Sequence, residues 1–328
     1  MVRLNKAGSK KMSHNSTTCA GIDVAKEKLD IAVLGDGTVE SVANDRGGWR
    51  RAADRLRAAG VGRVGLAASG GYERDVATFL RKQGFEVRLL QPAQVRAFAG
   101  VRLRRAKNDS IDAKLIAACT AVFDGHAEAP NERLVPCADR LTFIEQIEED
   151  IARAKTRLEH IREPRLRRMV MQDITRLKAR AKAELARIAN TLRADDELGH
   201  RFELVLSVPG IGERTAVAIM VRMPEIGRLS REEAAALAGL APFDDDSGTR
   251  RGQRHIAGGR ARLRRSLYAA ALAAAFRWNQ ALIALYRRLT DAGKPHKAAL
   301  VACARKLIVY ANTVVQRGTP WSAEPKRT

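Results

Sequence analysis

The stretch Lys107-Asn-Asp-Ser-Ile-Asp-Ala-Lys114 combines helix-start residues with two closely spaced carboxylates. Asn108 and Ser110 favour a helix start, and the apolar residues that follow predict an amphipathic helix. Asp109 and Asp112 are three residues apart, which places both carboxylates on one helix face, one turn apart. Such a pair suits Mg²⁺, which prefers oxygen ligands and takes few carboxylates. The alternative is that Asp109 caps the helix and Asp112 interacts with the positive end of its dipole.

The composition is strongly basic. The chain has 328 residues, with 59 Lys and Arg against 37 Asp and Glu, and a formal net charge of +22. This charge favours an anionic polymer as partner, with nucleic acid as the expected one and a membrane surface as the weaker alternative. The length suits two domains plus a connector. We find no apolar run long enough to predict a membrane-spanning helix.

The ends and the cysteines indicate a cytosolic protein. Residues 1–18 are predicted to form a basic tail, because they lack the apolar core of a signal peptide. The cysteines are scattered without C-x-x-C spacing, so we expect reduced thiols rather than disulfides or a zinc site. The four are Cys19, Cys119, Cys137 and Cys303.

Residues 19–135 are predicted to form an α/β domain. Three strands followed by alternating helices and strands indicate a mixed sheet with helices on its faces. The predicted strands are 19–24, 28–34, 39–42, 64–68 and 86–90, and the predicted helices include 46–59 and 72–83.

Asp23 lies in the middle of the first predicted strand. A buried strand carries a carboxylate only when that group is paired or binds a metal. A salt bridge is the simple explanation for Asp23. Together with Asp109 and Asp112 on a later helix, however, Asp23 gives the layout of an RNase H-like nuclease core, in which carboxylates hold metal ions for phosphodiester chemistry.

Four motifs in order carry a family resemblance. They are Gly21-Ile-Asp-Val-Ala-Lys26, Ala68-Ser-Gly-Gly-Tyr-Glu-Arg74, Gln91-Pro-Ala-Gln-Val-Arg96 and Lys107-Asn-Asp-Ser-Ile-Asp-Ala-Lys114. Together they resemble the RuvC-like DEDD domain of the one-ten family of bacterial insertion-sequence transposases. That family includes Piv/MooV-type invertases and bridge-RNA-guided DNA recombinases. The resemblance implies that Asp23, Asp109 and Asp112 bind the metal.

Position 67 departs from the family pattern. The family has a glutamate just before the Ala-Ser/Thr-Gly-Gly-Tyr motif, at a strand end, and this chain has Ala67 there. Alanine cannot bind a metal, so three of the four acidic ligands remain. Glu73 lies six residues further on, in the first turn of the next predicted helix, where it favours that helix N-terminus. We therefore expect Ala67 to impair catalysis in this chain.

A basic run precedes the Asp109 helix. No acidic residue interrupts this run. Because it lies beside a metal site predicted to handle phosphates, it predicts contacts with the nucleic-acid backbone. A solvated surface is the alternative. The run comprises Arg96, Arg102, Arg104, Arg105 and Lys107.

Residues 136–195 are predicted to form a coiled-coil connector. From Leu141 to Leu192 apolar residues recur mostly every three to five positions between Arg, Lys and Glu. Pro164 is expected to break or kink this pattern into two helices or a bent one. The narrow apolar stripe needs a partner, either a second chain or its own hairpin return. The family resemblance implies dimerisation through this region.

Residues 196–328 are predicted to form an all-α transposase domain. Its first feature is Pro209-Gly-Ile-Gly212 between two helices, which resembles a helix-hairpin-helix. Gly210 and Gly212 permit close backbone approach, and amides at the following helix start can receive a phosphate. Such turns also occur in proteins that do not bind DNA.

An arginine-dense loop follows in this domain. Arginine forks match phosphate oxygens, so the segment predicts contacts with a nucleic-acid backbone before a helix over 267–278. The candidate contacts are Arg250, Arg251, Arg254, Arg260 and Arg264. Ser247 lies on a Ser-Gly turn, where a serine is usually only a turn former. The family resemblance implies that Ser247 is the nucleophile that forms a phosphoserine link to DNA.

The resemblance extends over residues 19–317 and implies the whole assembly. It implies Mg²⁺, double-stranded donor and target DNA, a structured non-coding bridge RNA, and a homodimer that assembles into a tetramer, without a membrane. The expected location is the bacterial cytoplasm, in association with the nucleoid. Two alternatives are a RuvC-like junction-resolving endonuclease, which would not need Ser247, and a catalytically inactive nucleic-acid-binding protein, which Ala67 favours.

Overall fold

The computed structural model describes residues 18–68, 70–101, 109–122, 131–243 and 255–322, with side chains undescribed at 109–111 and 243. The chain divides into two compact units, Met1–Ala129 and Pro130–Thr328. The first is a mixed α/β unit and the second is mostly helical. The region predicted as a separate connector forms two helices, α5 Val135–His160 and α6 Pro164–Arg193, which belong to the second unit.

A five-stranded mixed sheet forms the first unit, as predicted. Its order is β3-β2-β1-β4-β5. The β1–β2 and β2–β3 pairs are antiparallel, whereas β1–β4 and β4–β5 are parallel. The strands are β1 Thr18–Val24, β2 Lys28–Val33, β3 Val39–Ala43, β4 Val61–Ala67 and β5 Glu86–Leu90.

Four helices accompany the sheet. They are α1 Arg46–Ala58, α2 Glu73–Lys82, α3 Pro92–Val101 and α4 Asp109–Val122. On one sheet face, Ile22 packs in a common core with Leu56 of α1 and Leu80 of α2. The other face carries Gly21 and Gly65, and α4 lies directly on it. The unit is therefore layered, with helices on both faces of the sheet.

In the described residues of the second unit, eight helices form most of the structure. They are α5 Val135–His160, α6 Pro164–Arg193, α7 Asp196–Leu206, α8 Glu213–Arg222, α9 Arg231–Leu237, α10 Ala261–Ala273, α11 Gln280–Asp291 and α12 His296–Arg317. A 3₁₀ turn at Glu132–Leu134 precedes α5, and a π-helical turn at Ala274–Trp278 follows α10. The strands β6 Pro242–Phe243 and β7 His255–Ile256 pair antiparallel.

The long apolar pattern forms a helical hairpin. Pro164 is the first residue of α6, and the Glu163 side chain accepts from the Leu166 amide at 2.7 Å, so the predicted break is confirmed. Helices α5 and α6 pack on each other, and their buried apolar residues join the core of the second unit. The apolar stripe is thus partly buried, because α6 packs back against α5 within the same chain. Near the hairpin tip, three apolar side chains remain exposed: Leu166, Met169 and Met171.

Helix α10 starts earlier than expected. The predicted helix began at residue 267, but α10 begins at Ala261. Arg262, Arg264 and Arg265 therefore lie on a helix rather than in a loop. The basic run suggested a loop because of its glycines, yet arginine has high helix propensity, so the helix extends through it.

Helix α12 lies in the core of the second unit. With 22 residues it is long and apolar enough, by length and composition, to cross a membrane, which the sequence analysis did not anticipate. Its Leu300 and Leu307 are fully buried in the unit. The Asn312 side chain also accepts from the Gly227 amide at 2.8 Å and donates to the Leu229 carbonyl at 2.7 Å. Packing within the unit accounts for the apolar character of α12.

All four cysteines are buried, and none forms a disulfide in the described part of the chain. Burial raises the pKa of the Cys303 thiol to about 11, so this group is protonated at neutral pH. These residues are packing elements of the two cores.

Candidate metal centre and nucleic-acid surfaces

Helix α4 brings its first turn to the strand that carries Asp23. A Cβ built on Gly21 would lie 2.3 Å from the Ala113 carbonyl oxygen and 2.2 Å from the Ala117 nitrogen, so only glycine allows this approach. Asp23 lies two residues beyond Gly21 and hence on the same sheet face. Asp112 directly precedes Ala113, and both aspartates are half-buried. The fold therefore brings the segments of Asp23 and Asp112 together.

Position 67 lies beside Asp23. Strands β1 and β4 run parallel, with Gly21 opposite Gly65 and Ile22 opposite Leu66. The next residues, Asp23 and Ala67, lie at the carboxyl ends of these two neighbouring strands, on the α4 face. The methyl group of Ala67 packs against an apolar cluster of Leu90, Ile116 and Cys119. A side chain at this position would thus start next to Asp23.

Asn44 and Glu73 order the turn between β4 and α2. Glu73 is buried as the first residue of α2, and its carboxylate accepts from the Gly71 amide at 2.9 Å. This geometry matches the helix-start role expected for it. Asn44, which the sequence analysis did not single out, donates to the carbonyls of Ala25 at 2.9 Å and Tyr72 at 3.5 Å. Asn44 thereby links the loop after β1 to the turn before α2.

Asp30 is a second buried carboxylate beside Asp23 that the sequence analysis missed. It lies opposite Asp23 on β2 and is 4% exposed. Its carboxylate forms an ion pair with the Lys28 ammonium at 3.0 Å and accepts a hydrogen bond from the Ser41 hydroxyl. The available signal was an aspartate between Leu29 and Ile31 in an otherwise apolar strand.

The donor chemistry of this region suits a divalent cation. Within the described parts of the chain, no group of three His, Cys, Asp or Glu side chains is arranged to hold a metal. Of Asp109 only the backbone is described, so its carboxylate lies outside this statement. Asp23 and Asp112 offer carboxylate oxygens, and Mg²⁺ is often bound by one or two carboxylates together with substrate phosphates and water. The complete ligand set stays a prediction.

The predicted basic run is described only at Arg96. This arginine is exposed on α3, directly after the sheet. The remaining members lie outside the described residues: Arg102, Arg104, Arg105 and Lys107. Their nucleic-acid contacts stay a prediction.

The Pro-Gly-Ile-Gly segment joins α7 and α8 as a tight turn between helices, as predicted. Gly210 has φ +97°, and a Cβ there would lie 2.3 Å from the Ala274 Cβ, so glycine is required. Gly212 caps α8 with φ −86°, and no atom lies within 4 Å of a Cβ built there. Glu213 begins α8 and accepts from Arg193 at 3.1 Å. The N-terminus of α8, predicted to receive a phosphate, therefore has the Glu213 carboxylate in its first turn.

Arg260 and Arg264 have partners within the unit. Arg260 donates to both carboxylate oxygens of Glu225, at 2.8 and 2.6 Å. Burial by itself raises the pKa of Glu225, but the hydrogen bonds and charge of Arg260 outweigh it, so the pKa lies below its ordinary value. Arg264 donates to the carbonyls of Gly258 at 2.7 Å and Gly239 at 3.3 Å. Both arginines thus stabilise the start of α10 through contacts within the unit. Direct contacts of these arginines with DNA stay a prediction.

Acidic residues of α5 hold further arginines of α8 and α10. Their ion pairs are Glu145 with Arg222 at 2.8 Å and with Arg262 at 2.7 Å, Glu148 with Arg214 at 2.9 Å, and Glu149 with Arg265 at 3.2 Å. Part of the basic character of the α10 sequence is therefore neutralised within the unit.

The segment with the candidate nucleophile is flanked by a small ribbon. Phe243 of β6 pairs with His255 of β7, so residues 243 and 255 are neighbours in space. Ser247, Arg250, Arg251 and Arg254 lie between them, outside the described residues. Their roles stay predictions.

Both units match known transposase families. A model of DEDD-type IS110 transposases matches residues 20–163, and a model described as the transposase IS116/IS110/IS902 family matches residues 202–287. The chain belongs to the IS110 family of transposases. The first match contains Asp23, Ala67, Asp109 and Asp112, and the second contains Ser247.

This transposase is also similar to two gene-inverting proteins. They are the pilin gene-inverting proteins of Moraxella bovis and Moraxella lacunata. Each is 24% identical to the transposase over 323 residues, which cover 93% of this chain and 98% of the relative. The family and these relatives identify the transposase as a DNA recombinase enzyme.

Proposed function

We propose that this transposase cuts and rejoins DNA through a phosphoserine link, using an RNase H-like, RuvC-like first unit and a serine in the second. The observation that carries the proposal is the convergence at one edge of the sheet. Asp23 and position 67 end neighbouring parallel strands, and α4 places Asp112 on the same face. The mixed strand order with helices on both faces supports the RNase H-like assignment.

Asp23, Asp109 and Asp112 are the proposed metal-binding residues. The DEDD family usually uses a divalent metal, and oxygen donors favour Mg²⁺. When bound, such an ion supplies Lewis-acid stabilisation of charge on phosphoryl oxygens. The chain's own contribution is to hold the carboxylates on two rigid elements, since α4 is seated on Gly21 without intervening side-chain atoms.

Ser247 is the proposed nucleophile. Its oxygen bonds to phosphorus, the bond from phosphorus to one deoxyribose oxygen breaks, and that oxygen leaves as a hydroxyl. One proton leaves Ser247, and one is taken up by the departing oxygen. Attack by the hydroxyl of another strand reverses the step and frees the serine. The phosphoserine link conserves the phosphodiester energy, so rejoining needs no ATP.

Ala67 impairs this proposed chemistry. Its methyl group lies in the Leu90, Ile116 and Cys119 cluster, where the family pattern has a glutamate. Metal-assisted phosphoryl transfer depends on close placement of the ion, and losing one carboxylate leaves the ion less constrained. The second candidate function, a nucleic-acid-binding protein without catalysis, is favoured by this same substitution.

The proposed partners are donor and target DNA duplexes and a structured non-coding RNA. The net charge of +22 supports nucleic-acid binding. The proposed location is the bacterial cytoplasm, in association with the nucleoid. The apolar side chains near the tip of the α5–α6 hairpin support a homodimer that assembles into a tetramer. Purification from cells that carry the native flanking DNA is expected to recover a discrete RNA, and its absence would contradict RNA guidance.

The serine mechanism is tested by trapping the covalent link. In an Ala67→Glu background, denaturing gels of the protein with labelled donor DNA are expected to show an adduct. Adding Ser247→Ala should abolish it, whereas Thr249→Ala, at the neighbouring hydroxyl, should retain it. An adduct that persists without Ser247 would place the nucleophile elsewhere. Cleavage without any adduct would favour metal-activated water, as in a junction-resolving endonuclease.

A further inference from the structure

An exposed cluster of aromatic rings lies on the second unit. The Phe276 ring centroid is 4.8 Å from that of Tyr286 and 6.3 Å from that of His296. A 2.6 Å hydrogen bond joins the Tyr286 hydroxyl and His296 Nδ1, which fixes these two rings. Phe276 nevertheless stays 54% exposed, and Trp278, two residues further on, is 62% exposed. Phe276 is thus held in place by its neighbours while much of it remains open to solvent.

The π-helical turn Ala274–Trp278 presents these two aromatics. The Asn279 amide donates to the Ala274 carbonyl at 3.1 Å, five residues back, so the helix widens there. Asn279 is buried, and its side chain accepts from the Leu282 amide at 3.2 Å, which begins α11. A π turn of this kind often marks a functional site.

The same asparagine ties the turn to the Pro-Gly-Ile-Gly segment. The Asn279 side chain donates to the Pro209 carbonyl at 3.1 Å. Gly210 packs so closely on Ala274 that a Cβ would lie 2.3 Å away. The aromatic residues therefore sit on a rigid support that is anchored directly to the turn predicted to approach DNA.

The chain around the rings is basic. Between residues 248 and 323 the sequence contains one acid, Asp291. Five exposed cations adjoin the aromatic residues along the chain, and none forms an ion pair among the described residues: Arg277, Arg287, Arg288, Lys294 and Lys297. Exposed rings beside unneutralised cations match the chemistry of single-stranded nucleic acid, in which bases stack and phosphates are paired with charge.

We propose that Phe276, which packs against Tyr286 and His296, and the exposed Trp278 form a stacking platform for unpaired bases of single-stranded DNA. Recombination separates DNA strands before they are exchanged, so a recombinase meets unpaired bases during its reaction. The rings supply flat apolar surfaces that accept any base, and the exposed Arg277, Arg287 and Lys297 supply positive charge for the backbone phosphates. The platform is independent of Ser247 and of the metal ligands.

Fluorescence anisotropy of the full chain with labelled oligothymidylate of about 15 nucleotides tests the proposal. Phe276→Ala and Trp278→Ala should each weaken binding roughly five- to hundredfold, the range seen for loss of one stacked base. For a duplex of the same length, the affinity of each variant should stay within about twofold of the affinity of the unaltered chain. Phe276→Leu keeps the apolar bulk without a ring face and should also bind weakly, whereas Phe276→Tyr should retain binding.

Leu272→Ala serves as the matched control, because Leu272 is exposed and apolar but not aromatic. It should leave the affinity for oligothymidylate unchanged, and the melting temperature of each variant verifies folding. Equal loss of single-stranded and duplex binding, or no loss, would overturn the proposal. Loss restricted to an oligouridylate RNA would assign the platform to RNA instead. A change in sedimentation mass with unchanged DNA affinity would make the patch a subunit interface.

Discussion

Asp23 and Asp30 lie directly opposite each other on the antiparallel strands β1 and β2. Cross-strand neighbours of this kind share one sheet face, and like charges at such positions repel. The Lys28 ammonium and the Ser41 hydroxyl stabilise the Asp30 carboxylate. Asp30 is therefore a structural carboxylate that is satisfied by its own partners beside the candidate metal ligand Asp23.

Asp30→Ala should lower the free energy of unfolding by about 1–3 kcal/mol, because it removes a buried acceptor and leaves Lys28 and Ser41 without it. Urea denaturation measures the change. Asp54→Ala is the control, since the Asp54 carboxylate is exposed in a surface pair with Arg57, and it should stay within about 0.5 kcal/mol. Equal free energies of unfolding for the two variants would show that the Asp30 carboxylate does not stabilise the fold.

Gly210→Ala should destabilise the second unit. The new methyl group would lie 2.3 Å from the Ala274 Cβ, at a residue with φ +97°. Overpacking of this kind costs about 1–3 kcal/mol, read as a lower denaturation midpoint. Gly212→Ala is the matched control two residues further on, with φ −86° and open space for the methyl group. Comparable losses in both variants would contradict the packing of this turn on the π segment.

The Glu225–Arg260 pair should make stability depend on acid pH. The folded-state pKa of Glu225 lies below its ordinary value, so its stabilisation is present above the unfolded pKa of about 4.3 and is lost as the pH falls through the folded pKa. As the pH is lowered below that value, the denaturation midpoint of Glu225→Gln should therefore fall less than the midpoint of the unaltered chain. The exposed Glu232→Gln serves as control, and identical acid profiles of all three proteins would refute the assignment.

Much of the first unit was predictable because local patterns and tertiary structure agree. Alternating strands and short turns predicted all five strands of this sheet. The role of Gly21 was not predictable, because it depends on Ala113 and Ala117 packing against it from a distant part of the chain.

The arginines of the second unit show where sequence reasoning fails. A basic run indicates the sign of the charge but not its partners. Arg260 is held by Glu225 and Arg262 by Glu145, 35 and 117 residues away. The role of Asn279, which ties the π turn to Pro209 across 70 residues, was likewise invisible in the local pattern. Whether Ser247 acts as nucleophile is a matter for the adduct experiment.

Duplex DNA binding should weaken steeply with salt. If about seven phosphates are contacted, counterion release predicts a slope of roughly −6 for the logarithm of the association constant against the logarithm of salt concentration. Arg96→Ala, at the described member of the basic run, should make this slope shallower by about one unit. A salt-insensitive interaction would exclude a basic DNA-binding surface.

The most direct measurement of the central claim compares Mg²⁺-dependent strand cleavage by the unaltered chain and by Ala67→Glu. Position 67 starts beside Asp23 at the ends of two parallel strands, so the new carboxylate should restore cleavage by about a hundredfold or more across a Mg²⁺ titration. Ala68→Glu is the matched control, because the next residue along the chain faces away, and it should remain as poor as the unaltered chain. Equal cleavage by the Ala67→Glu protein and the unaltered chain would show that position 67 is not a ligand and would contradict the four-carboxylate site.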